Sequence, residues 1–231
     1  MIDIRDLLFN YRSVHEVGKS AFGMQIDHFT VPAGASAALV GPSGSGKTTL
    51  LSLIAGTLRP SSGSISVNDQ IISSFSERAL GRFRIHNIGQ VFQTFELLNY
   101  LTVIENVMLP WFITGEGRKK EIGKRAIDLL NNVGLESKAL SRPDELSQGE
   151  QQRVAVCRAM LNHPSILLAD EPTGNLDQQN KQNVVDLLQK QARIYDSTLL
   201  MVTHDESLLA QFDLVLDIRS IAVSPGSKNS Q

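Results

Sequence analysis

The sequence predicts an α/β fold built on a mostly parallel sheet, and three observations carry that prediction. Strand-like and helix-like segments alternate along the 231 residues, the pattern of strand–helix–strand units. A glycine-rich stretch, Gly41-Pro-Ser-Gly-Ser-Gly-Lys-Thr48, falls between an apolar run at 37–40 and a stretch of helical composition at 47–58. The runs Ile166-Leu-Leu-Ala169 and Thr198-Leu-Leu-Met-Val202 are almost wholly apolar, as strands covered on both faces are.

The elements follow in order. Residues 2–8 and 25–31 read as short strands, and 37–40 as a buried strand ending in the glycine-rich turn. The helix at 47–58 is stopped by Arg59-Pro60, because proline lacks an N–H and clashes with the preceding turn. Residues 63–67 alternate small and apolar side chains as a half-exposed strand does, and 88–92 is a further strand. Between 119 and 133, Ile122, Ala126, Ile127, Leu130 and Val133 recur at helical spacing, and Gly134 is placed to cap that helix. A helix at 150–161 closes at His163-Pro164; a strand at 166–169, a helix at 178–195, a strand at 198–202 and an edge strand at 214–218 follow. Residues 75–160 are richer in helix than in strand, and the expectation is one domain over 1–219 whose helical part, about 95–160, is inserted between two halves of the sheet. From Ser220 the composition turns polar, so 220–231 is expected to fray.

Composition narrows the class. Hydrophobic residues are 42% and charged residues 20% of the chain, which excludes a mostly disordered protein. Lys plus Arg number 22 against 24 Asp plus Glu, so no basic footprint points to nucleic acid, and none is expected as a partner. Cys157 is the single cysteine, which rules out an internal disulfide and a cysteine-rich metal site. The opening Met1-Ile-Asp-Ile-Arg-Asp6 carries acids and no apolar run, so no signal peptide is expected. No stretch has the ~20 apolar residues of a membrane span, and a cytoplasmic protein is expected.

The chemistry begins at Gly41–Thr48, which matches the phosphate-binding pattern G-x-x-x-x-G-K-[ST] in full and in its strand–loop–helix context. Gly41, Pro42, Ser43, Gly44, Ser45 and Gly46 let backbone N–H groups wrap phosphate oxygens, and the helix start adds partial positive charge. Lys47 is expected on the β- and γ-phosphates and Thr48 on Mg²⁺, with Thr49 completing the segment. Asp170 ends an apolar strand and is the expected metal acid; the adjacent Glu171 is placed to polarise an attacking water. Two adjacent acids could be no more than a solvated loop pair, but a phosphate loop in the same chain favours the functional reading.

At this point the sequence resembles the ATP-binding subunits of ABC transporters over about residues 1–218. Leu146-Ser-Gln-Gly-Glu150 resembles the family signature Leu-Ser-Gly-Gly-Gln, with Gln148 in place of a glycine and Glu150 in place of its glutamine. The resemblance implies that Ser147 and Gly149 meet the γ-phosphate held by a second subunit; by itself Ser147 reads as a helix cap, and a cap is what an anion site is built from. Gln93 resembles the Q-loop glutamine that helps bind Mg²⁺ and water, and the apolar residues around it, Phe92 to Leu101, are expected to divide between core and a groove for a membrane partner. His204 resembles the switch histidine on the γ-phosphate, Asp177 the D-loop at the dimer seam, and Tyr11 the aromatic that stacks on adenine. A lone histidine is more often structural and an aromatic near a strand end more often core. Thr173-Gly-Asn-Leu-Asp177 looks like the lipoprotein-releasing, macrolide-efflux and cell-division ATPases.

The resemblance implies the ABC ATPase fold, a P-loop NTPase core with an antiparallel β subdomain at the amino end and a helical insertion. It further implies an ATPase using ATP and Mg²⁺, a head-to-tail dimer of identical chains, and an integral membrane permease as partner. The chain would then sit peripherally on the cytoplasmic face of the inner membrane. The alternative is a soluble ABC-type ATPase acting on a protein assembly. A nucleotide kinase sharing the phosphate loop has no use for the 146–150 segment.

Overall fold

In the computed structural model, residues 1–11, 22–174, 176 and 178–223 are described. The strands are β1 (Ile2–Asn10), β2 (Gly23–Val31), β3 (Ser36–Val40), β4 (Ser62–Val67), β5 (Gln70–Ile71), β6 (Ile88–Val91), β7 (Ile166–Asp170), β8 (Thr198–Val202) and β9 (Leu214–Asp217). The helices are α1 (Lys47–Ile54), α2 (Glu77–Asn87), α3 (Val103–Val107), α4 (Leu109–Thr114), α5 (Lys119–Asn132), α6 (Gln148–Met160), α7 (Gln178–Ile194) and α8 (Ile218–Ile221).

The strands form two sheets. One has the order β2-β1-β4-β5 with antiparallel pairs, Ile4 facing both Phe29 and Ile65. The other has the order β6-β7-β8-β3-β9 and is parallel throughout. Non-consecutive neighbours in that second sheet require crossover connections, and the helices supply them. The carboxyl ends of β7, β8 and β3 therefore lie side by side, where α/β sheets bind ligands.

Period-two alternation splits the apolar core. Leu199 and Met201 of β8, with Leu167 and Ala169 of β7, face a cluster completed by α3, α5, α6 and α7. Leu200 and Val202, with Ile166 and Leu168, face a second cluster formed with α1, α2 and the antiparallel sheet.

Several elements differ from expectation. The first helix ends at Ile54 rather than 58, because Gly56 turns left-handed (φ 67°) and the N–H groups of Thr57 and Leu58 fold back onto the Ser52 carbonyl. The helix α2, not expected from the sequence, is capped by Ser76 and buries only Leu80 and Phe83, too few apolar positions for a periodic signal. The helix α4 buries none of its residues. Residues 220–223 are held in place: Asp217 caps α8 through the Arg219 N–H at 2.9 Å, and Val223 exchanges two 2.9 Å backbone bonds with Gln25. No helix among the described residues is long and apolar enough to cross a membrane.

Candidate functional site

The glycine-rich loop runs from the end of β3 into α1. Gly46 caps α1 in the left-handed region (φ 95°), and a Cβ there would lie 2.5 Å from Met24 and 2.6 Å from Phe22 side-chain atoms. Only glycine offers both the conformation and the clearance. Lys47, only 7% exposed, stretches back across the loop and donates to the carbonyls of Gly41 and Pro42 at 2.9 Å each. The Ser45 hydroxyl donates to the Pro42 carbonyl at 2.8 Å.

Beside the loop lies a cavity of about 220 Å³ lined by Tyr11, Phe22, Gly44, Lys47, Thr48 and Glu171, among others. Tyr11 stands edge-on to Phe9, ring centroids 4.9 Å apart, and its hydroxyl is 3.3 Å from that of Thr49. It is 44% exposed, so it is a wall of the cavity and not a core residue. Phe22 shares that wall, and sequence reasoning missed it. A second cavity of about 290 Å³ joins Gly41 and Pro42 to His204, Asp217 and Arg219. The Asp217–Arg219 pair there was also not anticipated; the Arg219 guanidinium holds the Asp217 carboxyl down to about 2.

The acids follow from β7. Thr48 Oγ1 donates to Asp170 Oδ1 at 3.3 Å, so the predicted metal ligands are neighbours. Burial pushes the Asp170 carboxyl above the usual aspartate range, opposed by the Thr48 bond and the Lys47 charge and reinforced by the Glu171 charge. A desolvated carboxylate beside a hydroxyl is a donor set of hard oxygens suited to Mg²⁺, which takes few ligands from protein and the rest from phosphate and water. No cluster of three or more metal-binding acids, histidines or cysteines occurs among the described residues.

Glu171 adopts φ 45°, left-handed and rare for such a side chain, and its N–H donates to the Val202 carbonyl at 3.1 Å. That turn brings Glu171 Oε2 to 3.5 Å from His204 Nδ1. Gln93, after β6, rests its amide on the turn that follows: a Cβ on Gly174 would lie 2.8 Å from Gln93 Nε2. Lys47, Thr48, Asp170, Glu171, His204 and Gln93 thus gather at the carboxyl ends of the parallel sheet.

Ser147 lies elsewhere. It caps α6, accepting from the Glu150 N–H at 3.4 Å, while Glu150 Oε2 accepts from the Ser147 N–H and hydroxyl at 2.8 and 2.9 Å. Lys138 donates to Glu150 Oε1 at 2.6 Å and, with the Ser147 bonds, holds that carboxyl down to about 2. Glutamate at this position completes a capping box, and the Gln148 side chain is exposed. Gln152, further along α6, donates to the Pro172 carbonyl in the turn after Glu171. Asp177 lies outside the described residues. No residue of 146–150 lines either cavity beside the phosphate loop.

Comparison with known proteins adds four findings. Residues 24–174 match the family model described as ABC transporter. The chain is 46% identical over 191 residues to the lipoprotein-releasing system ATP-binding protein LolD of Psychrobacter arcticus, covering 83% of this chain and 84% of that one. It is 45% identical over 170 residues to the protein of the same name from Bacteroides thetaiotaomicron, covering 74% and 78%. Among solved structures it resembles the ATP-binding cassette MJ0796, a dimer in a post-hydrolysis state bound to ADP and Pi, with TM-score 0.81, 32% identity, and 94% and 95% of the two chains covered.

Proposed function

This chain belongs to the ABC transporter family as an ATP-binding and ATP-hydrolysing subunit, and on that premise we propose that two copies close head to tail over two ATP molecules to drive a separate membrane permease. The observation that carries the reading is the separation of the two half-sites. The phosphate loop, Asp170, Glu171 and His204 converge on one region, whereas the Ser147 helix start lines neither cavity there. A γ-phosphate gripped by the first set is left open on the side that Ser147 and Gly149 of a second copy would cover. The dimeric cassette among the structural relatives supports the same arrangement.

The roles follow from the chemistry. The loop from Gly41 to Thr49 cradles the phosphates and Lys47 supplies positive charge to them. Tyr11 packs on the adenine, and the family resemblance alone assigns Asp177 a role at the seam between copies. Thr48 and Asp170 would hold Mg²⁺, with Gln93 beside them, and the ion would supply positive charge to offset that of the phosphates. Glu171 takes a proton from the water whose oxygen bonds to the γ-phosphorus as the bond to the bridging oxygen breaks and ADP leaves. His204 steadies the γ-phosphate. Loss of that phosphate removes the contact joining the copies, so hydrolysis opens the dimer.

The permease reading rests on a groove of about 290 Å³ between α2, β6, α4 and α6, lined by Ile85, Phe92, Leu109, Pro110 and Ile113. Ile113 is 70% exposed, apolar surface that a permease helix would cover. The resemblance to lipoprotein-releasing ATP-binding proteins supports a permease of that kind as the proposed partner, and with it a peripheral seat on the membrane face. We also read residues 1–219 as one domain with residues 95–160 as its helical part. The test is Glu171→Gln: ATP-dependent dimers persist in size-exclusion chromatography with light scattering while turnover is lost. A chain that stays monomeric with ATP and hydrolyses it at the normal rate overturns the proposal.

A further inference from the structure

Lys181 projects from α7, outside every role assigned above. Its ammonium donates to Asp205 Oδ2 at 2.8 Å. The other carboxylate oxygen, Oδ1, accepts from the Ser207 N–H at 3.1 Å and from its hydroxyl at 2.6 Å. The Lys181 and Asp205 side chains are 21% and 14% exposed, so the pair is sheltered. Lys181 is the main reason, with Ser207 next, that the Asp205 carboxyl is held down to about 2.

Asp205 follows His204 directly in the chain. The segment after it is gripped by the same helix: Gln182 and Gln211 exchange side-chain amide bonds of 2.7 and 2.9 Å, and Gln189 donates to the Gln211 carbonyl at 2.8 Å. The His204 side chain is 62% exposed and lies 3.5 Å from Glu171. The ring is therefore aimed by the backbone of its loop. That backbone is anchored upstream by the Thr203 N–H on the Leu39 carbonyl at 3.2 Å. Downstream it is anchored by α7.

We propose that Lys181 is a positioning residue for His204: its ion pair with Asp205 fixes the loop that presents the histidine to the γ-phosphate. The proposal rests on the reading of His204 given above. The pair is a charge-assisted bond between α7 and that loop, and such a bond is effective at fixing geometry. A small displacement of a group that acts in the transition state lowers turnover more than ground-state binding.

The test uses the full chain with Mg²⁺ and ATP. Lys181→Met is expected to lower kcat about tenfold while ATP affinity stays within about twofold, and Lys181→Arg to restore most of the rate. Asp205→Asn keeps the Ser207 contacts and loses the ion pair; it gives the same fall and serves where Lys181→Met does not fold. The double variant is no slower than either single one, because both remove one interaction. A lowered melting temperature with unchanged kcat below the transition, or losses that multiply in the double variant, overturns the proposal. His204→Ala separates the two readings. If that variant hydrolyses ATP normally, the role of His204 falls and this proposal with it. If it is slow while Lys181→Met and Asp205→Asn keep the normal rate, only the Lys181 proposal falls.

Discussion

Replacing Glu171 with glycine should make the nucleotide-free chain more stable while destroying its activity. Glu171 sits at φ 45°, where a Cβ crowds the backbone at a cost of ~1–2 kcal/mol. Glycine removes that cost but loses ~0.5–1 kcal/mol through its greater freedom in the unfolded chain. Taking the middle of each range, the net gain is about 0.75 kcal/mol. Unfolding entropy of ~2.1 cal/mol/K per residue over 231 residues amounts to about 0.5 kcal/mol/K, so the melting temperature should rise by about 1–2 °C. The reference is Glu171→Ala, which keeps the Cβ and also lacks the carboxylate. It therefore cancels the lost His204 contact, a half-exposed pair of little weight, and the lost charge beside Asp170. The assay is scanning calorimetry without nucleotide, with steady-state ATP hydrolysis alongside. If Glu171→Gly melts at or below Glu171→Ala, the backbone at 171 holds no strain and the reasoning fails.

Two further outcomes follow from the same geometry. Gly174→Ala puts a methyl 2.8 Å from Gln93 Nε2; that flexible amide can yield, so stability should change by less than ~0.5 kcal/mol while turnover falls several-fold, and unchanged turnover would separate Gln93 from catalysis. The Glu150 carboxyl is lowered in the folded chain from 4.5 to about 2, chiefly by Lys138, so it adds stability that is complete above pH 4.5 and drains away as pH falls toward 2. Urea midpoints of the wild type and Lys138→Met should differ most near neutral pH and converge on acidification; a gap that does not vary with pH would refute the assignment.

Much of this molecule was legible because its information is local. Gly41 to Thr48 sets out a strand end, a turn and a helix start in one stretch, and β3 and α1 fall on either side of it. The short apolar runs ending at Ala169 and Val202 gave β7 and β8 within one residue. The helix α2 was obscure because Leu80 and Phe83 are its only buried side chains, and α4 because it buries none. At the site, residue types were readable and conformations were not. Nothing in the order Asp170-Glu171 announces a left-handed backbone, which depends on the bond from the Glu171 N–H to Val202 in the neighbouring strand. Phe22 and the Lys181–Asp205 pair were invisible for the same reason: their partners are remote in the chain, Met24 and Phe22 against Gly46, and Asp205 24 residues beyond Lys181.

The division of the apolar interior by the parallel sheet has an evolutionary consequence. The phosphate-loop helix is rooted, through Leu50, Leu53 and Ile54, on one side of that sheet. The helix that begins after Ser147 is rooted, through Val154, Val156 and Met160, on the other. Neighbouring positions along one strand, such as Leu200 and Met201, report to opposite sides. On the proposed head-to-tail arrangement, selection can therefore adjust a subunit's grip on its own nucleotide and its offer to its twin through separate sets of substitutions, with little interference between them.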